Sequence, residues 1–350
     1  MQCKTICFCT TAIVKRLPIF ANMDKILDSF GRPLQYLRLA VTDRCNLRCF
    51  YCMPAEGIDY VPRQELLSYE EMLRLTRIFV QLGVTKIRLT GGEPFVRHNF
   101  YGFLKRLTKI EGLDKIAITT NGSVASKHIP FLKEIGITSI NLSLDTLNKE
   151  KFAEITRRDF FDQAMATYHS VLDAGIKLSV NMVVMEGRNI EDIIPMAMLT
   201  KNDAVTVRYI EEMPFNGKGA RNTIGYNHRK ILETLESNLP VLFPLTFEHG
   251  TTAQEYSIDG HKGRVGIIAA WSRTFCSSCN RIRVTATGQM KNCLYDNGVL
   301  NIKRMLTDGS SDKMICEAIK AGYSKKYKNG IEAEAKQANP ISESMSSIGG

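Results

Sequence analysis

Within eight residues of "TDRCNLRCFYCMP" stand three cysteines, Cys45, Cys49 and Cys52, spaced C-x₃-C-x₂-C. A disulfide framework typifies short secreted domains, whereas thiols clustered at short fixed spacing in a long chain point to metal. A four-iron, four-sulfide cluster takes one thiolate per iron, so three thiols would leave one iron open to chelate another molecule. A second triple, Cys276, Cys279 and Cys293, is spaced C-x₂-C-x₁₃-C and invites the same reading. Zinc is the alternative at either triple; it needs a fourth ligand, and His261 is the nearest candidate for the second.

Arginines and glycines add to this chemistry. Arg281 and Arg283 in "CNRIRVT" would share one face of a strand, and planar guanidinium forks suit phosphate oxygens. A solvated arginine pair is the alternative. Arg38 in "YLRLAVT" and Arg88 in "KIRLT" are charges inside apolar strands, costly unless paired, and together they suggest a cradle for phosphate or a nucleobase. In "TGGEP" (90–94) paired glycines would let the backbone approach a ligand closely.

These residues need a frame. Six β-rich segments recur: "YLRLAVT" (36–42), "KIRLT" (86–90), "KIAITT" (115–120), "SINLSL" (139–144), "LSVNMVV" (178–184) and "VTVRYI" (205–210). Helical periodicity fills the spaces between, most clearly in "SYEEMLRLTRIFVQLG", where Ser68 and Glu71 form a capping-box signature. "FYGFLKRLTKIEG", "IPFLKEIG" and "FDQAMATYHSVLDAG" each end at a glycine suited to a helix terminus. Such alternation predicts an α/β fold with a parallel sheet, open or curved into a barrel, and chemistry at the strand carboxyl ends. Beyond residue 214 the pattern changes to a loop, a hairpin in "EYSIDGHKGRVGIIAAWS" and the second cysteine segment, which read as a second, smaller layer. The tail "KNGIEAEAKQANPISESMSSIGG" reads as mobile until its last residues.

With 350 residues, 44% hydrophobic and 23% charged, the chain can bury a sizeable core and has ordinary globular composition. No apolar run approaches the ~20 residues that span a bilayer. A formal charge of +10, spread along the chain, favours an anionic partner without requiring nucleic acid. Metal-spaced thiols fit a reducing cytoplasm, and Cys316 in "DKMICEAIK" reads as a structural thiol. Residues 1–22 show the features of a secretory signal only weakly; they are expected to be a disordered or non-native extension, with Met23 as the start.

The cysteine spacing with Tyr51 before the last thiol, joined to "TGGEP", resembles the radical S-adenosylmethionine superfamily. Adding "TTNG", "NLSLDT", "RYIEEMP", "TFCSSCNRIRVT" and the terminal "MSSIGG", the chain closely resembles the GTP 3′,8-cyclase (MoaA) family from about Phe30 to Gly350. The resemblance implies an incomplete six-unit (β/α) barrel (23–213) and a C-terminal α+β region (214–350) carrying a second [4Fe-4S] cluster. It implies a lyase of molybdenum cofactor biosynthesis, forming (8S)-3′,8-cyclo-7,8-dihydroguanosine 5′-triphosphate from GTP. A 5′-deoxyadenosyl radical would take hydrogen from C3′, and the carbon radical would attack C8.

The same resemblance assigns roles. Cys45, Cys49 and Cys52 would hold the first cluster and Cys276, Cys279 and Cys293 the second, whose open iron would bind guanine. Tyr51, Gly92, Ser143 and Met213 would contact S-adenosylmethionine. Arg38, Arg88, Thr119, Ser179, Arg281, Ile282 and Arg283 would contact GTP, with Arg281, Arg283, Gly349 and Gly350 at the reaction centre. Ser179 stands where the family carries a lysine, and Lys177, on the same strand face, is the residue positioned to replace it. Implied partners are cyclic pyranopterin monophosphate synthase, a low-potential electron donor and a second copy of the chain in a homodimer, with neither nucleic acid nor membrane. A peptide-modifying radical enzyme is the rival within the superfamily, and a non-catalytic iron–sulfur or zinc protein the rival outside it.

Overall fold

Apolar residues three and four apart wind 68–83 into helix α1 (Tyr69–Gln81), burying Met72, Leu75, Ile78 and Phe79. The expected capping box is present: Ser68 Oγ accepts the Glu71 N–H at 3.1 Å and the Glu71 carboxylate accepts the Ser68 N–H at 2.6 Å. The computed structural model describes residues 26–213, 215, 224–247, 250–337 and 343–349. The expected extension over 1–22 lies outside the described residues, as do most of the loop after residue 213 and Gly350.

Strands β1 (Tyr36–Ala40), β2 (Lys86–Thr90), β3 (Lys115–Thr120), β4 (Ser139–Ser143), β5 (Lys177–Val184) and β6 (Thr206–Glu211) form where expected, with small shifts at their ends. After α1 come α2 (Phe100–Leu107), α3 (Ile129–Glu134), α4 (Lys149–Thr156), α5 (Phe161–Asp173) and α6 (Ile193–Asn202). Each strand runs parallel to the next. Residues such as Leu37, Leu39, Ile87 and Leu89 point to the helices and form the main core. Their neighbours Tyr36, Arg38, Lys86 and Arg88 point to the other face, because strand side chains alternate.

The C-terminal segment contains α7 (His228–Asn238), β7 (Leu242–Pro244), β8 (Gln254–Ile258), β9 (Arg264–Ile268), β10 (Arg281–Val284), β11 (Gln289–Lys291) and β12 (Leu300–Asn301). Four helices follow: α8 (Ile302–Thr307), α9 (Asp312–Ser324), α10 (Gly330–Ala335) and α11 (Met345–Ile348). The predicted hairpin is β8–β9. The segment is not the separate layer that its composition suggests. β9 pairs parallel with β6 and β10 parallel with β1, so it extends both edges of the first sheet. The hydrogen-bonded order runs β12-β11-β10-β1-β2-β3-β4-β5-β6-β9-β8-β7 and does not close on itself. The tail is also more ordered than its polarity predicts. α10 is capped by Asn329, which accepts the Glu332 N–H at 2.9 Å, and buries Ala333.

Ser68→Ala should lower stability by about 1 kcal/mol in urea unfolding, since it removes one partner of an intact cap and leaves α1 packing untouched. An unchanged midpoint would mean that α1 is held by packing alone.

Candidate active site

Register decides which side chains meet. Across β10, β1 and β2 one row sets Arg283, Arg38 and Arg88 side by side, and the row before it sets Arg281, Tyr36 and Lys86. These residues, with Arg208 and Arg273, face a cavity of about 230 Å³ in which Glu255 is the only carboxylate among the described lining residues. Burial, then Arg283 and Arg88 beside it, holds the Arg38 guanidinium well below its ordinary range. Arg283 is pulled down to about 10 by burial and Arg281. Although burial opposes it, Arg88, Arg38 and Lys86 draw the Tyr36 phenol down to about 7, and Arg88 Nε donates to the Tyr36 hydroxyl at 2.6 Å. Among the described residues, Arg88 Nη1, Asn181 Oδ1 and Asn292 Oδ1, all on residues of the cavity wall, have no hydrogen-bond partner. Buried polar atoms ordinarily have one, so the wall is shaped for a polar, anionic ligand.

The second cysteine triple stands on this wall: Cys276, Cys279 and Cys293 all line the cavity. Burial raises the Cys293 thiol to about 11. At Cys279 burial is overcome by Lys326 and Arg281, which bring the thiol down to about 5, and Arg281 Nη2 donates to its sulfur at 3.7 Å. Lys326, which nothing in the sequence distinguished from other lysines, is buried and donates to the Arg281 carbonyl.

The first triple lies on the loop after β1. Burial raises Cys45 to about 12 and Cys52 to about 11, and it also raises Cys49 well above the ordinary thiol range, with Asp145, Cys52 and Cys45 adding to the effect. All six thiols are free of disulfides. Among the described residues no three His, Cys, Asp or Glu side chains converge as ligands of one metal ion. Around the loop stand groups from the ends of other strands. Asn121, after β3, donates to Cys45 Sγ at 3.8 Å, and the Tyr51 hydroxyl donates to Asp145, after β4, at 2.9 Å. Gly91 and Gly92 press on the same loop: a Cβ at Gly92 would lie 2.1 Å from the Arg44 carbonyl and one at Gly91 2.2 Å from that of Thr42. The close approach expected toward a ligand is thus made toward the cysteine loop itself. Buried Glu93, raised to about 7 by burial, accepts the Asn121 N–H at 2.7 Å and locks "GGEP" to β3.

The tail joins the two ends of the site. Ser344 Oγ donates to the Cys52 carbonyl at 2.7 Å, and Arg283 Nη1 donates to the Gly349 carbonyl at 2.8 Å. Lys291, fully buried, pairs with Glu343. Gly349 has φ +77°, and a Cβ there would meet Thr90 Oγ1 at 2.4 Å.

Of the residues expected at the site, Arg38, Arg88, Arg281, Arg283, Met213 and the second triple share the cavity. Thr119 and Ser179 lie in one row with Asn141 of the wall, and Ser143 lies beside Asn181. Ile282 points its side chain into the main core, so only its backbone is available on that strand. Lys177 is exposed at the start of β5 and is absent from the cavity wall, where Lys86 and Arg208 stand instead. The signal for these two was the one used for Arg38 and Arg88, a cation at alternate positions of a strand. Cys316 is partly buried against the main core, as expected.

Residues 39–199 match the family model of the Radical SAM superfamily and residues 205–331 that of Molybdenum Cofactor Synthesis C. GTP 3′,8-cyclase of Thermodesulfovibrio yellowstonii is 38% identical over 92% of this chain and 99% of that protein. Mitochondrial GTP 3′,8-cyclase of Arabidopsis thaliana is 39% identical over 87% of this chain and 78% of its own. Molybdenum cofactor biosynthesis protein 1 of Bos taurus is 41% identical over 86% of this chain, which spans about half, 48%, of that relative. Among solved structures, Streptococcus suis SuiB bound to S-adenosylmethionine superposes with a TM-score of 0.55 at 17% identity, over 80% of this chain and 66% of that one, a likeness of fold.

Tyr36 offers a test of the cationic wall. Its phenol should titrate with a midpoint of about 7, read at 295 nm as the difference between the protein and Tyr36→Phe. Because the folded pKa is depressed, the stabilisation it brings is complete above pH ~10 and is lost as pH falls through about 7. Inorganic triphosphate should move the midpoint upward by neutralising the arginines. No difference signal below pH ~9 would show that the cations do not act on this hydroxyl.

Proposed function

The chain belongs to the GTP 3′,8-cyclase family, and on that ground we propose that it converts GTP to the 3′,8-cyclised dihydroguanosine triphosphate of molybdenum cofactor biosynthesis. The observation that carries the reading is the cation-rich cavity, with a single carboxylate among its described lining residues and three thiols on its wall. A triphosphate is the ligand whose charge matches such a surface.

The thiols suit the groups that the family implies, being partly buried and free of disulfides. Cys45, Cys49 and Cys52 would hold one [4Fe-4S] cluster and Cys276, Cys279 and Cys293 a second, within an incomplete six-unit barrel (23–213) and its C-terminal region (214–350). When bound, the first cluster would supply the electron that splits S-adenosylmethionine into methionine and the 5′-deoxyadenosyl radical that takes hydrogen from C3′ of GTP, and joining C3′ to C8 would be completed by one further electron and one proton.

The chain's own residues bind, aim and shield. Tyr51, anchored by Asp145, and Gly92, Ser143 and Met213 hold S-adenosylmethionine over the strand ends. Arg38, Arg88, Arg281 and Arg283 hold the GTP phosphates, whose negative charge favours the protonated guanidinium that burial disfavours at Arg38 and Arg283. Thr119, Ser179 and the Ile282 backbone would complete the pocket, with guanine toward the wall that carries Cys276, Cys279 and Cys293. Gly349, with Gly350 after it, brings the terminus against Arg283 and excludes water from the reacting carbon. Cyclic pyranopterin monophosphate synthase takes the product onward. The chain acts in the cytoplasm as a homodimer fed by a low-potential donor.

Protein reconstituted without oxygen should hold about eight irons per chain and, with S-adenosylmethionine, dithionite and 3′-deuterated GTP, yield deuterated 5′-deoxyadenosine and an isomer of GTP. Cys276→Ser should bring iron to about four per chain and abolish the isomer. Deoxyadenosine without deuterium, beside unchanged GTP, would overturn the substrate assignment. Zinc in place of iron would overturn the reaction class.

A further inference from the structure

The first cysteine loop carries an arginine rim that the reaction leaves unused. Arg48 lies on the loop itself, Arg157 and Arg158 follow α4, and Arg188 comes from the turn after β5. They converge on one place. The Arg48 N–H bonds the Thr156 carbonyl at 2.9 Å and the Phe50 N–H that of Ile155 at 3.2 Å. Arg157 Nη1 donates to the carbonyls of Arg48 at 3.1 Å and Met53 at 3.3 Å. The Arg188 guanidinium lies 5.1 Å from the centre of the Phe50 ring, next in the chain to Cys49.

Arg157, Arg158 and Arg188 are exposed, and among the described residues none of the four arginines makes an ion pair. Of the neighbouring acids, Glu191 and Asp192 pair with Lys151 at 2.6 Å and Asp159 acts on Lys149, whereas Glu186 is exposed on the same turn as Arg188. Glu56 and Asp59 on the loop and Glu186 beside Arg188 are three carboxylates against the four arginines, so the rim keeps a small net positive charge. A helix C-terminus accounts for a cation at Arg157 or Arg158. It does not account for Arg188, which reaches the same ring from another loop.

We propose that this rim is the docking surface for an acidic, low-potential one-electron carrier protein, seated over Phe50. The proposal rests on the reading that Cys45, Cys49 and Cys52 hold a cluster that must be reduced for each turnover. One electron leaves the carrier, which is oxidised by one, and enters the cluster, which is reduced by one; no atom or proton crosses. A surface of unpaired like charges beside the electron acceptor raises the encounter rate with an oppositely charged donor and orients it, and salt weakens the effect. A small anionic reductant needs no such surface.

The test compares reduced flavodoxin, an acidic flavin carrier, with dithionite in driving 5′-deoxyadenosine formation by the reconstituted full chain. In the variant carrying Arg158→Glu and Arg188→Glu, the flavodoxin-driven rate at low salt should fall about tenfold or more and lose its salt dependence. The dithionite-driven rate should stay at the unmodified level. Calorimetric titration with oxidised flavodoxin should show a matching loss of affinity. Equal flavodoxin rates and affinities in both proteins would overturn the proposal, and so would a parallel fall with both reductants. If dithionite yields no deoxyadenosine even in the unmodified protein, the cluster reading has failed instead, and the flavodoxin titration still decides whether the rim docks an acidic carrier.

Discussion

Arg283, Arg38 and Arg88 stand abreast because β10, β1 and β2 pair in parallel, one residue against one. Three guanidiniums in one row, with Arg281 and Lys86 a step away, repel one another in a place where water screens them poorly. The protein offers partial relief. Tyr36 accepts from Arg88 and Glu255 pairs with Arg208 at 3.2 Å, while Cys279 sits beside Arg281 and Lys326. Among the described lining residues cations outnumber the single carboxylate, Glu255, and that excess gives the cavity its character.

The same constraint organises the second cysteine triple. Cys279 and Arg281 are two residues apart, so the strand that delivers the arginines to the wall also delivers the thiol. Lys326 ties the two together from behind through the Arg281 carbonyl. A thiolate there is stabilised by fixed cations, which favours it over the protonated thiol.

Two backbone devices then fix the loop of the first triple, whose thiols do not line that cavity, beside the strand ends. Gly91 and Gly92 let the second strand's loop lie against the cysteine loop at distances that no side chain would allow. The chain terminus spans the remaining gap, tied at Ser344 to Cys52, at Glu343 to Lys291 and at Gly349 to Arg283. Gly349 adopts a left-handed φ against Thr90, where a Cβ would collide. Residues 343–349 therefore lie against both the cysteine loop and β10, with Met345 on the cavity wall.

Much of this was legible without coordinates. Both cysteine triples, the alternating strands and helices, the Ser68–Glu71 cap and the inward Arg38 and Arg88 all follow from local spacing, because periodicity and turn chemistry act over a few residues. What lay beyond it was long-range. No local pattern shows that β10 returns to pair with β1, that Lys326 sits behind Arg281, or that Lys177 is left outside while Lys86 and Arg208 enter the wall. Pairing partners are chosen by the burial of whole faces and by loop closure over hundreds of residues, which composition and period do not encode. By itself the sequence determined which chemical groups were present and on which strand face each stood. Only the tertiary structure decided which faces met, since that depends on how the sheet's edges are extended.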